Sequence, residues 1–180
     1  MIKTIQDLAS RIHANIVAYR RHLHRHPELS FEEYKTAAFV KEELDKLGIP
    51  YVEMANTGVV GVITGDVSSD QVVALRADMD ALPITEVPGR VYGSLNPGVM
   101  HACGHDAHTA SLLGTAAILQ SMKSSFAGTV KLIFQPGEER LPGGASLMIK
   151  EGVLQNPAPQ AVIGQHVMPL IPAGKVGFRP

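Results

Sequence analysis

One cysteine, Cys103, and no tryptophan occur in this chain of 180 residues. A single cysteine excludes an intrachain disulfide framework and fits a reducing compartment. Surplus charge is also missing. The formal net charge is -1, which removes the electrostatic case for nucleic acid or an anionic membrane surface as partner. No apolar run approaches the roughly 20 residues that a membrane span needs. The N-terminal stretch MIKTIQDLASRIHANIV alternates polar and apolar residues at helical spacing, without the unbroken apolar core of a secretory signal. These absences together predict a cytoplasmic location. With 45% hydrophobic and 18% charged residues, the balance is that of one folded domain with a real core. The histidines are the exception to this ordinary composition: there are 8, three of them between positions 101 and 108.

Periodicity divides the chain into elements. Ile2, Ile5, Leu8, Ile12, Ile16, Tyr19 and Leu23 recur at intervals of three and four, which predicts an amphipathic helix ended by Pro27. Ser30 followed by Glu33 reads as a capping box opening a second helix, with Phe31, Tyr34, Ala37, Val40, Leu44 and Leu47 on one face and Gly48 as its stop. Val59–Thr64 and Val72–Arg76 are short and β-rich. The polar stretch Gly65–Asp70 between them makes a hairpin the expected pairing. Glu86–Gly104 is rich in Gly and Pro and reads as a long loop. His108–Met122 is an apolar helix without internal charge, so neighbours must cover most of it. Val130–Gln135 reads as a strand, Ala145–Lys150 as a short helix and Ala161–His166 as another strand. The order strand, helix, strand, helix, strand implies crossovers. The fold class is therefore α/β, with a mixed, largely parallel sheet flanked by helices.

Chemistry-bearing residues fall at the predicted strand ends. Asp78 and Asp80 follow one strand, Glu138 and Glu139 follow a second, and His166 closes a third. In open α/β sheets, sites form outside the carboxyl ends of strands. The string HACGHDAHT adds His101, Cys103, His105, Asp106 and His108 beside the apolar helix. Thiolate and imidazole suit zinc and its neighbours, and carboxylates widen the choice to manganese. Gly104 lets the backbone bend closely between Cys103 and His105. The bland alternative makes Cys103 a small buried hydrophobe and the histidines loop caps. Glu138-Glu139 is in isolation a solvated surface pair. After an apolar strand and Pro136-Gly137, however, the pair sits at a sheet edge. There a cation could offset the two like charges, one carboxylate ligating and the other moving a proton. Asp78 and Asp80 read equally as turn formers before Pro83 or as carboxylates that ligate metal or orient a histidine. His166 is by itself an ordinary polar strand end. His22, His24 and His26 read as structural or surface residues.

The motifs LRADMDALP (75–83), MHACGHDAHT (100–109), FQPGEE (134–139) and GQH (164–166) resemble the M20 metallopeptidase family, most closely its amidohydrolase branch of N-acyl amino acid, hippurate and auxin-conjugate hydrolases. The resemblance implies a zinc-exopeptidase-like catalytic domain. It implies Cys103, His105, Glu139 and His166 as ligands to two divalent metal ions, zinc or manganese before cobalt or nickel. Glu138 becomes the general base for a metal-bound water, and Asp80 a catalytic residue that tunes the site from behind a ligand. Other branches place a ligating histidine where this chain has Asp78, so Asp78 is left out of the metal set. The implied substrates are N-acyl amino acids or small peptides, cleaved at the amide bond. Two other functions compete. A cysteine hydrolase with Cys103 as nucleophile would survive EDTA and be lost to iodoacetamide. A non-catalytic metal-binding module would hold metal without turnover.

The resemblance also implies parts that these residues do not contain. Family members carry an inserted lid, usually dimerising, and a return to the catalytic domain with one further histidine ligand. Residues 1–180 are accordingly expected to be the N-terminal portion of the catalytic domain, incomplete at its C-terminus, of a protein that is homodimeric through its lid. The 180-residue chain alone should bind metal weakly and not hydrolyse substrate; robust amidase activity from the purified chain would refute this.

Overall fold

The structure, a computed structural model, describes residues 1–178. The chain begins with two helices, α1 (Ile2–Arg25) and α2 (Tyr34–Lys46). Strands β1 (Tyr51–Met54), β2 (Gly58–Thr64) and β3 (Val67–Asp78) follow. Helix α3 (His105–Ser121) leads through one 3-10 turn to β4 (Ala127–Gln135), then α4 (Gly144–Lys150) and β5 (Ala161–Gly164). The five strands form one mixed sheet in the order β1-β2-β4-β3-β5. β3 runs parallel to both β4 and β5, while β1/β2 and β2/β4 are antiparallel.

Alternation along the strands gives the sheet two apolar faces. Val59, Ile63, Ala77, Leu132 and Phe134 face α2 and α3, where they meet Val40, Leu44, Leu112, Leu113 and Ala116. Val60, Ala74 and Ile133 face the other way and pack with Met148 and Val153 around α4. Helix α1 covers the outer side of α3, with Ile12 and Ile16 seated against Gly114. The apolar part of α3, from His108 onward, is therefore enclosed, as its lack of charge requires.

Four sequence expectations change. β2 and β3 do not form a hairpin, because β4 inserts between them. The tight hairpin is β1–β2, whose turn holds Ala55 and Asn56 at φ of 49° and 70°. Periodicity in β2 and β3 could show two strands but not which strand lies between them. The capping box is also absent. Ser30 donates to Asp80 Oδ2 at 2.6 Å, and Glu33 is fully buried, accepting from Thr57 and from the Gly137 amide. Glu28 instead receives the first free amides of α2, those of Lys35 and Thr36. Helix α3 starts at His105, one turn before the expected His108. β5 ends at Gly164, so His166 lies just past the strand instead of closing it.

The register of the parallel strands sets the position of the site. Asp78 pairs with Gln135, and Arg76 pairs with Gly164. The carboxyl ends of β3, β4 and β5 thus lie side by side, and the residues following each strand emerge at one edge. Phe134, fully buried on the central β4, is the largest side chain of the main core. Phe134→Ala should lower stability by about 3–5 kcal/mol in denaturant unfolding; a loss under about 1 kcal/mol would contradict its close-packed role.

Candidate metal centre

Residues from three segments converge beyond these strand ends. Cys103 lies in the loop before α3 and His105 is its first residue. Glu138 and Glu139 follow β4, and His166 follows β5. Cys103, His105 and His166 form one group with ligand atoms close enough to share an ion; His105, Glu138 and Glu139 form a second. His105 Nε2 is 3.8 Å from Glu139 Oε1 and 3.9 Å from Glu138 Oε2. Cys103 Sγ is 3.3 Å from Nε2 of His166. All four expected ligands and the expected base are therefore gathered in one place.

Gly104 makes the approach of Cys103 and His105 practicable. Its φ of 94° is left-handed, and a Cβ there would collide with Cγ2 of Val167. Gly137 works likewise beneath the glutamates. It sits at φ 52°, and a Cβ would strike the Phe31 ring. Its amide donates to the buried Glu33 carboxylate at 2.7 Å, which anchors the loop carrying Glu138 and Glu139.

Hydrogen bonds fix the tautomers of both histidines. Nδ1–H of His105 donates to the backbone carbonyl of Asp80 at 2.8 Å and lies 3.2 Å from its Oδ1. Nδ1–H of His166 donates to the carbonyl of Val167 at 2.6 Å. Each ring therefore turns the Nε2 lone pair toward the site. Nε2 of His105 is fully buried and has no hydrogen-bond partner among the described residues. A buried, unpartnered acceptor surrounded by a thiol and carboxylates is what a divalent cation would satisfy. The donor set fits a metal.

The electrostatics agree. Burial, followed by Glu139, Asp78 and Glu138, pushes the Cys103 thiol up to about 12. Burial would also raise Asp80. Hydrogen bonds from His105, Ser30 and the amides of Glu139 and Glu138 more than offset it and hold the carboxyl at about 2. For His105, burial favours the neutral ring, but Asp80, Asp78 and Glu139 outweigh it and raise its pKa. Anionic groups thus outnumber the fixed cations here, and a metal would redress the imbalance.

Asp78 and His108 also meet here, forming a third group with His105. Asp78, which could have been a turn former, is buried and hydrogen-bonded through both carboxylate oxygens. Its Oδ2 accepts from Arg76 at 2.6 Å and its Oδ1 from His108 at 2.6 Å. Both nitrogens of His108 are occupied as well, since Nε2 accepts the Val167 amide at 2.8 Å. His108 thus has no free nitrogen to offer an ion, and each Asp78 oxygen already accepts a hydrogen bond. The sequence offers His108 as one of five candidate donors but assigns it no role, although its spacing of three from His105 puts both on one helix face. His24, expected to be structural or surface, is structural. The structure buries His24 between Asp106 at 2.7 Å and Glu86 at 3.0 Å. No periodicity signals that contact, because it joins positions 82 residues apart.

Asp80 links this geometry to acid stability. Its pKa is depressed in the fold relative to an ordinary 3.8, so its contribution is present above pH 4 and lost as pH falls through 2. The size is about 2 kcal/mol. In the metal-free protein, the stability difference between wild type and Asp80→Asn should shrink as the pH is lowered from 5 to 2; parallel curves in pH-dependent urea unfolding would contradict the assignment.

Comparison with known proteins places this constellation. The model of "Peptidase family M20/M25/M40" matches residues 74–180, which include every residue of the cluster. The chain is 46% identical over 177 residues to an N-acyl-L-amino acid amidohydrolase of Geobacillus stearothermophilus, covering 97% of this chain and 46% of the relative. It is 47% identical to IAA-amino acid hydrolase ILR1-like 5 of Arabidopsis thaliana, covering 91% and 37%. The crystal structure of Bacillus subtilis YXEP, described as a dinuclear metal binding peptidase from the M20 family, superposes with a TM-score of 0.88 at 40% identity, covering 94% of this chain and 47% of that one. The chain spans less than half the length of these relatives. No described helix is long and apolar enough to cross a membrane. On the family match over more than half its length, the chain belongs to peptidase family M20/M25/M40.

Proposed function

We propose that these residues carry most of the active site of a metal-dependent amidohydrolase that cleaves N-acyl amino acids or small peptides. The observation that carries the reading is the unpartnered Nε2 of His105 among Cys103, Glu138, Glu139 and His166. Cys103, His105, Glu139 and His166 would hold two divalent ions, with the thiol, imidazole and carboxylate mixture suiting zinc or manganese, then cobalt or nickel. Bound cations supply the charge that acidifies a water and polarises the scissile carbonyl. In this reading the remaining ligand and a dimerising lid come from polypeptide outside these residues; the greater length of the relatives supports the presence of such polypeptide but not its role. The substrate class is carried over from those relatives, an N-acyl-L-amino acid amidohydrolase and an IAA-amino acid hydrolase.

The two glutamates divide the work by their surroundings. The Glu139 side chain is 23% exposed, its amide is tied to Asp80 and its carboxylate lies beside Cys103, which supports it as the ligand. The Glu138 side chain is 42% exposed, and its carboxylate makes no hydrogen bond among the described residues. It takes the proton from the attacking water and passes it to the leaving amine. Asp80 holds the His105 ring so that its lone pair points inward.

The alternative of a Cys103 nucleophile is disfavoured by the thiol's setting: at a pKa of about 12 among carboxylates, almost none is thiolate at neutral pH. Three treatments of the full-length protein test the proposal together. Glu138→Gln should retain metal and lose roughly 100-fold or more in kcat. EDTA should abolish hydrolysis and added metal restore it. Activity that survives chelation but is lost to iodoacetamide would transfer the role to Cys103, and full activity in Glu138→Gln would remove that residue as base.

A further inference from the structure

His166 is the least supported of the proposed ligands. It lies beyond the end of β5 in chain without regular structure, and its side chain is exposed. A ligand so placed needs something to hold its ring in line with Cys103. The hydrogen bonds around it identify what does so.

The backbone of Val167 is bonded on both sides. Its carbonyl accepts Nδ1–H of His166, which aims Nε2 at Cys103. Its amide donates to Nε2 of His108, one turn into α3 from His105. An imidazole can accept at Nε2 only when its proton is on Nδ1, and Nδ1–H of His108 donates to Asp78 Oδ1. Asp78 is held in turn by the Arg76 guanidinium, whose Nε donates to Gln135 at the end of β4. The His108 and His166 rings also stack edge to face, with centroids 4.6 Å apart. One relay thus runs from the ends of β3 and β4, through α3, to the segment after β5.

We propose that His108, with its tautomer set by Asp78, is a positioning residue that holds the Val167 peptide and thereby orients His166 toward the metal. His108 is fully buried and has no free nitrogen, so it acts through Val167 instead of ligating. This rests on the reading of His166 as a ligand. It gives Asp78 and His108 a task at the site beside that of the proposed ligands.

The test measures cation affinity by chelator competition, and the cobalt absorption spectrum, in the full-length protein. Metal-free thermal unfolding is run alongside as a check on folding. His108→Phe keeps a flat ring but cannot accept from Val167. It should weaken the more loosely held cation roughly 10- to 100-fold, a usual range for residues that orient a ligand, and perturb the cobalt d–d bands. His108→Gln, whose amide oxygen can accept the same N–H, should recover most of the loss. Val167→Pro removes the donor at a half-exposed position outside the core and should reproduce the Phe phenotype, which keeps the test decisive if His108→Phe does not fold. Wild-type affinity and spectrum in either folded variant overturns the proposal, as does a Gln variant no better than Phe. His166→Ala separates the two readings. If it leaves cation binding intact, the ligand assignment fails; if it loses a cation that His108→Phe and Val167→Pro retain, only the positioning role fails.

Discussion

The register between three parallel strands governs everything at the functional edge of this domain. Asp78 opposite Gln135, and Arg76 opposite Gly164, make β3, β4 and β5 end together. A strand end is where the chain leaves the hydrogen-bonded ladder and may take up any direction, so neighbouring ends concentrate irregular backbone and polar side chains. Moving one strand by a residue would turn its side chains to the opposite face and break the core as well as the site. The sheet that buries Leu132 and Phe134 is thus the same device that brings Asp80, Glu138 and His166 around His105.

Within that frame, the site is organised through carbonyls and carboxylates that determine which imidazole nitrogen carries the proton. His105, His108 and His166 each donate from Nδ1, to Asp80, Asp78 and Val167 respectively. The outcomes differ because of what faces each Nε2. For His108 it is a backbone amide, which satisfies it; for His105 nothing is there, and for His166 only the thiol. This difference separates supporting histidine from proposed ligand, although all three residues share a chemistry. Carboxylate crowding then makes the arrangement receptive to a cation and hostile to a free thiolate.

The parts of the fold legible in sequence were those governed by local periodicity. The apolar face of α1, the enclosed character of α3 and the strands β2, β4 and β5 all follow from patterns of 3.6 or 2 residues. The failures arose where a residue's partner lies far along the chain. Ser30 and Glu33 have the spacing of a capping box, yet Asp80 and Gly137 claim their side chains. The stretch between β2 and β3 looks like a hairpin turn, yet β4 takes the place between them. Glu28 and His24 carried no local signal at all, since their partners are set by helix packing and loop return.

The sequence by itself determined which donors are present and in what order. Cys103, Gly104 and His105 are a compact thiol–imidazole pair, Glu138-Glu139 follows an apolar strand, and the motifs around them carry the family resemblance. Those are matters of residue chemistry and short-range spacing. Tertiary structure alone decided that His105 Nε2 is left buried without a partner, that Asp78 is hydrogen-bonded to Arg76 and His108, and that the Val167 peptide joins His108 to His166. Hydrogen-bond satisfaction depends on every neighbour a group acquires when the chain closes on itself, and most of those neighbours here arrive from 25 to 63 residues away.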